Sequence, residues 1–90
     1  MVSHEITLDL KEGLQAKPAS EIIQYLKDFT GNITMKYAGQ TANCKSIINL
    51  LALEAGPYPT VEISIDGEEE EEELEDFIEF LKDLGEKIGE

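Results

Sequence analysis

Apolar and polar residues alternate along four short stretches of the chain and recur at helical spacing along three others. Val2, His4, Ile6 and Leu8 alternate with Ser3, Glu5 and Thr7, the period-two pattern of a half-buried strand with one polar interruption. A loop follows from Asp9 to Ala16. Pro18 stands where a helix tolerates proline, in the first turn, whose amides have no intrahelical acceptor. Ile22, Ile23, Leu26 and Phe29 then make one face of that helix, and Gly31 suits its carboxyl-terminal cap. Ile33, Met35 and Tyr37 alternate with Asn32, Thr34 and Lys36 in a second strand, and Ala38-Gly39 turns the chain into a short third strand, Gln40 to Asn43. Ser46 opens a compact apolar helix through Ile47, Ile48, Leu50 and Leu51, as far as Leu53, that stops before Gly56 and Pro57. Val61, Ile63 and Ile65 alternate with Thr60, Glu62 and Ser64 as a fourth strand, which Asp66-Gly67 ends. Leu74, Phe77, Ile78, Leu81, Leu84 and Ile88 recur at helical spacing in one last amphipathic helix.

The order strand, helix, strand, strand, helix, strand, helix predicts an α+β fold, one sheet with helices on its single apolar face. Alternation within the strands predicts a mostly antiparallel sheet whose other face is wet. Ninety residues, without an internal repeat or a linker, make a single domain over 1–90. The composition, 41% apolar and 30% charged, is that of a folded chain. No apolar run approaches the roughly 20 residues that span a bilayer, and Met1 to Glu5 lacks the basic and apolar parts of a signal peptide. The expected location is cytoplasmic.

Charge changes the picture. Twenty acidic against seven basic residues give a net charge of −13, which argues against a nucleic-acid backbone or an anionic membrane as partner. The acid is also unevenly placed: residues 1–60 carry a net of −1 and residues 61–90 a net of −12. Asp66 to Asp76 holds nine carboxylates, including the unbroken run Glu68 to Glu73. Because the last amphipathic pattern follows directly, the run reads as a solvated helix start, where carboxylates complement the helix dipole by about 0.3–1 kcal/mol each. Its spacing is not that of a calcium loop. One cysteine and one histidine exclude an internal disulfide and a Cys/His zinc site, and no cofactor is expected.

No Gly-rich phosphate loop and no Ser-His-Asp or Cys-His arrangement is present. His4 reads as a structural or surface strand residue. Cys44, beside Lys45, reads as a small buried hydrophobe rather than an activated thiol. Two segments remain. Gly13 to Ala19 is a loop running into a helix start, where free amides and Lys17 make an anion-binding corner. In Lys45-Ser46-Ile47-Ile48, the Ser46 hydroxyl is either a plain cap, worth about 0.5–2 kcal/mol relative to alanine, or a phosphorylation site. From Phe29 to Leu53 there is no Asp or Glu, only Lys36 and Lys45, so no sequence-local carboxylate would repel a phosphate there.

At these two segments the chain resembles the HPr family, the small phosphocarriers of the bacterial phosphoenolpyruvate:sugar phosphotransferase system. The resemblance covers the length, the element order, the loop 13–19, Lys45-Ser46-Ile47 and the turn Asp66-Gly67-Glu68. It implies an open-faced β-sandwich (βαββαβα), a four-stranded antiparallel sheet with three helices on one face. The family loop reads Gly-Leu/Ile-His-x-Arg-Pro-Ala, and its histidine accepts phosphate from enzyme I. Here that position is Gln15, and the arginine is Lys17. A carboxamide nitrogen, its lone pair delocalised into the carbonyl, is a poor nucleophile, so phosphocarrier activity is not expected and no residue is assigned as catalytic.

The catabolite-repression HPr-like branch of Gram-positive bacteria also reads Gly-Leu-Gln at this loop. In that branch HPr kinase/phosphorylase uses ATP to phosphorylate the serine that Ser46 matches. The product is a corepressor of the catabolite control repressor, a LacI-type DNA-binding protein. The implied docking surface is Ser46 with Lys45, Ile47, Ile48 and Leu51, together with Gln15 and Lys17. The expectation is therefore a regulatory, non-enzymatic protein that contacts neither nucleic acid nor membrane directly. The alternative is a family paralogue that binds another metabolic or regulatory protein without phosphoryl relay.

Overall fold

The computed structural model of the chain describes residues 1–89. Its elements run β1 (Val2–Thr7), α1 (Ala16–Tyr25), β2 (Asn32–Tyr37), β3 (Gln40–Asn43), α2 (Ile47–Ala52), β4 (Thr60–Asp66), α3 (Glu70–Lys82) and α4 (Leu84–Lys87). The four strands form one sheet in the order β1-β4-β2-β3, and every neighbouring pair is antiparallel. The α+β architecture expected from the alternation is the architecture found.

Register turns that alternation into two unlike faces. Val2 and Ile33 both pair with Ile65, His4 and Met35 both pair with Ile63, and Ile6 pairs with Val61. Ile33, Met35, Val61, Ile63 and Ile65 are buried under the helices. The opposite face carries the rows Ser3–Ser64–Thr34–Asn43 and Glu5–Glu62–Lys36–Thr41. Hydroxyls link it across strands, Ser3 to Ser64 at 2.8 Å and Thr7 to Thr60 at 2.7 Å. A slip of one residue would invert both faces at once, so the register is strongly specified. His4 lies on the helix-facing row but is exposed, because β1 is an edge of the sheet.

The helices close the core with Pro18, Ala19 and Ile22 from α1, Leu50 from α2, Phe77, Ile78 and Leu81 from α3, and Leu84 from α4. Two helix ends differ from expectation. The first helix stops at Tyr25, and Phe29 lies beyond it in a turn whose amide donates to the Leu26 carbonyl at 3.0 Å. Gly31 is not a left-handed cap, since it is absent from the positive-φ residues. A Cβ there would stand 2.6 Å from the Asp66 carbonyl oxygen and 2.8 Å from the Phe29 ring, so glycine is needed for close approach. The final helix is also not continuous to Ile88: α3 closes at Lys82 and α4 follows after Asp83. A Cβ on Gly85 would lie 2.2 Å from the Asp9 carbonyl oxygen. The break lets α4 seat its backbone on the loop after β1 while Leu84 and Ile88 stay buried.

The first turn of α3 carries Glu70 to Glu73. Glu70 has a partner, the Met1 amino group, at 2.8 Å from Oε2 and 3.1 Å from Oε1. That hydrogen bond holds the Glu70 carboxyl below its ordinary value and the amino group above its own. A depressed carboxyl stabilises above its unfolded pKa and loses this as pH falls through the folded value; a raised amine stabilises below its unfolded pKa and loses this as pH rises. Glu70→Gln is therefore expected to lower the urea midpoint modestly at neutral pH. The gap should close in acid and again once the amine deprotonates, and it should shrink with added salt, as urea melts of both proteins across pH will check.

Candidate functional site

Ser46 sits in a web of short-range polar contacts that starts where β3 ends. The Asn43 side chain accepts from the Lys45 amide at 2.9 Å, and the Asn43 carbonyl accepts from the Ser46 amide at 3.0 Å. The Asn43 amide in turn donates to Asn49 Oδ1 at 3.2 Å. Ser46 is the N-cap of α2 in an extended conformation, and its Oγ accepts from the Asn49 amide at 3.3 Å. This is the cap expected from the sequence, with the hydroxyl used as an acceptor.

The six-residue α2 packs against α1 and β3 and leaves much of its apolar surface in solvent. Leu50 is buried, while Ile47 is 38%, Ile48 76% and Leu51 39% exposed. Three large aliphatics therefore stand in solvent beside the polar cap.

Lys45 is held elsewhere. Its Nζ donates to the Phe29 backbone carbonyl and stands 5.1 Å from the centroid of the Phe29 ring, within the range of a cation–π contact. The sequence marks Lys45 only as a charge near Ser46, because helical spacing assigns Phe29 to the face of α1 and gives no sign of this contact.

The second segment is built from both sides. Gly13 has φ +80°, and a Cβ there would lie 2.3 Å from the Ala55 carbonyl oxygen. The Leu14 amide donates to that same oxygen at 3.0 Å, and the Tyr58 amide donates to the Leu10 carbonyl at 2.9 Å. Gln15 is the N-cap of α1, but its side chain does not cap; Nε2 donates to the Glu12 carbonyl at 3.0 Å. The amides of Gly13, Leu14 and Gln15 are satisfied within the protein, which leaves the first-turn amides of Ala16 and Lys17 as donors for an anion. Gln15 and Lys17 are both exposed.

The two segments are not one cluster. The loop before α1 is bonded to the segment after α2, through Leu14 and Ala55, whereas the start of α2 is bonded beyond the end of α1, through Lys45 and Phe29. Gln15 and Ser46 therefore mark opposite ends of the packed α1/α2 pair, and the exposed side of α2 runs between them. At 1.5 Å per residue that helix is about 9 Å long, short enough for one partner to cover the strip.

Cys44 is fully buried, and burial pushes its thiol up to about 12. His4 belongs to β1, the sheet edge opposite β3. Among the described residues no group of three or more His, Cys, Asp or Glu side chains is arranged to hold a metal, and no helix is long and apolar enough to cross a membrane.

Against known proteins, the chain matches the PTS HPr component phosphorylation site family over residues 2–83. It belongs to the HPr family. It is 35% identical over 82 residues to the HPr-like protein Crh of Halalkalibacterium halodurans, covering 91% of this chain and 98% of that protein. Solved structures similar to this chain include two HPr proteins. One is HPr-C-His from Thermoanaerobacter tengcongensis, with TM-score 0.85 and 26% identity over 94% of this chain and 96% of that one. The other is a phosphocarrier HPr from Bacillus anthracis, with TM-score 0.78 and 32% identity over 92% and 94%. In this HPr-family chain the loop from Gly13 to Ala19 contains no imidazole.

A thiol that is both buried and raised to about 12 is almost wholly protonated at neutral pH. Iodoacetamide at pH 8 should leave Cys44 unmodified in the native protein and alkylate it in urea, as intact mass will read. Alkylation of native protein at the rate of a free thiol would contradict the burial.

Proposed function

We propose that this HPr-family protein is a regulatory, non-enzymatic member that carries its signal as a phosphate on Ser46 and acts as a corepressor. The observation that carries the reading is the serine cap of α2 standing beside the exposed Ile47, Ile48 and Leu51. Gln15 removes the competing chemistry: a carboxamide keeps a polar outline but does not attack a phosphoryl group and release it again. Lys17 keeps a charge at that end of the strip without the planar fork an arginine offers to phosphate.

In the modification step, catalysed by HPr kinase/phosphorylase, Ser46 Oγ bonds to the γ-phosphorus of ATP. The bond from that phosphorus to the ADP oxygen breaks, ADP leaves, and the hydroxyl proton passes to a base of the kinase. The product gains about −1.5 to −2 of charge and three acceptor oxygens. The partner is a LacI-type catabolite control repressor. Its basic pocket reads the phosphate through one to three charge-assisted hydrogen bonds, while Lys45, Ile47, Ile48, Leu51, Gln15 and Lys17 provide the rest of the contact. The corepressor works through that partner in the cytoplasm, without touching nucleic acid or membrane itself.

Incubation with HPr kinase and ATP is expected to add one phosphate by intact mass to the wild type and none to Ser46→Ala. Phosphoenolpyruvate with enzyme I is expected to add none to either protein. A phosphate that survives Ser46→Ala, or an acid-labile label from phosphoenolpyruvate, would overturn the reading. If ATP adds nothing, the chain is a paralogue that binds another protein without modification.

Ile48→Ala removes the most exposed aliphatic of the strip. It should leave stability within about 0.5 kcal/mol of the wild type and weaken the phosphoprotein–repressor complex by roughly 1–2 kcal/mol, about five- to thirtyfold in affinity. Urea melts and titration calorimetry separate the two effects.

A further inference from the structure

Lys45 occupies an odd position for a cation in so acidic a chain. Twenty carboxylate side chains are available, yet among the described residues none pairs with Lys45, whereas Lys82 pairs with Glu79 and Lys87 with Glu21. Its ammonium rests instead on a neutral carbonyl and an aromatic face, both belonging to Phe29. The Phe29 ring lies close against two glycine backbones, with the Cβ of a residue at 31 falling 2.8 Å from the ring and one at 67 falling 3.7 Å from it. Phe29, Gly31 and Gly67 line the same open groove between the end of α1 and the start of α3, with Glu68 and Glu69 on its rim. A chain of contacts thus runs from the residue preceding Ser46, through Phe29, to the turn that begins the acidic segment.

We infer that Lys45 is the residue through which the state of Ser46 is felt at this groove. This inference rests on the phosphorylation proposed above. In the unmodified protein the ammonium clamps Phe29 over Gly31 and Gly67. A phosphate on Ser46 places a near-dianion on the residue next to Lys45 in the chain. The bond to the Phe29 carbonyl carries a full charge on the ammonium side only, whereas a phosphate partner carries charge on both sides, so the ammonium moves from the Phe29 carbonyl to the phosphate. No carboxylate holds it back. Phe29 loses its hydrogen-bond and cation–π partner together, and the ring relaxes against the glycines. Lys45 is a positioning residue in this scheme: it transmits the modification and does not perform it.

The test follows the amides of Gly31 and Gly67 and the Phe29 ring by NMR, in unmodified protein and in protein with phosphoserine installed at position 46 during synthesis, confirmed by intact mass. Wild type, Lys45→Met and Lys45→Arg are compared; residue 45 is exposed, so all three are expected to fold. In the wild type, phosphate should displace the Gly31, Gly67 and Phe29 signals. Lys45→Met should show displaced signals before modification and no further change at these three residues after it. Lys45→Arg, which keeps a cation, should restore the response. Equal displacement with and without a cation at 45, or none in the wild type, overturns the inference. Because the phosphoserine is installed chemically, failure of the kinase to modify the chain would sink the proposed function alone and leave this result readable.

Discussion

One face of the sheet must be dry and the other wet, and almost everything else follows from that constraint. Strand β4 lies between β1 and β2, so its alternation of Val61, Ile63 and Ile65 with Thr60, Glu62 and Ser64 sets the polarity of both neighbours through the ladder. With all helices on the dry side, the loops that join strands to helices are forced over the sheet ends, where backbone polar groups can still find partners. Both candidate segments are such loops. Their positions are consequences of the sheet, and their chemistry is what the sheet leaves free.

The short helix α2 shows how packing leaves a surface exposed. Only Leu50 within it, and Leu53 just after, reach the core, so a sequence that reads as a compact apolar helix leaves three aliphatics in solvent. Exposed apolar area of this kind is tolerated where a partner covers it. The same geometry separates the two loops: the Leu14–Ala55 bond and the Lys45–Phe29 bond pin opposite ends of the α1/α2 pair, and the exposed aliphatics lie along the line between them.

Much of this was legible in the residues. Period-two alternation located β2 to the residue and β4 to within one, because a strand half-buried on a wet sheet has to write its two faces into its composition, and the Ala38-Gly39 turn placed β3 after β2. Ser46 announced itself as a cap for a similar local reason. The misreadings share a cause. Phe29 falls at helical spacing after Leu26, yet the chain leaves the helix at Tyr25 because the ring is needed over Gly31 and Gly67. Leu84 and Ile88 continue the apolar period of α3, yet the helix breaks at Asp83 because Gly85 must meet Asp9. In each case a long-range contact overrode a local period, and no pattern within a window of residues records such a contact. The Lys45–Phe29 partnership was hidden for the same reason.

Charge placement gives the fold its last asymmetry. A protein at −13 can have a single added phosphate recognised selectively only if that phosphate stands apart from the other anions, since fields between exposed charges fade over about 8 Å at physiological salt. The acid-free stretch from Phe29 to Leu53 provides that separation along the chain, but folding partly undoes it by bringing Phe29 into the groove that Glu68 and Glu69 also line. Lys45, seated on Phe29, stands where the acid-free and acidic segments meet. On the inference drawn above, an ammonium resting on a carbonyl and a ring, rather than committed to a carboxylate, is the one free to turn to a phosphate on Ser46.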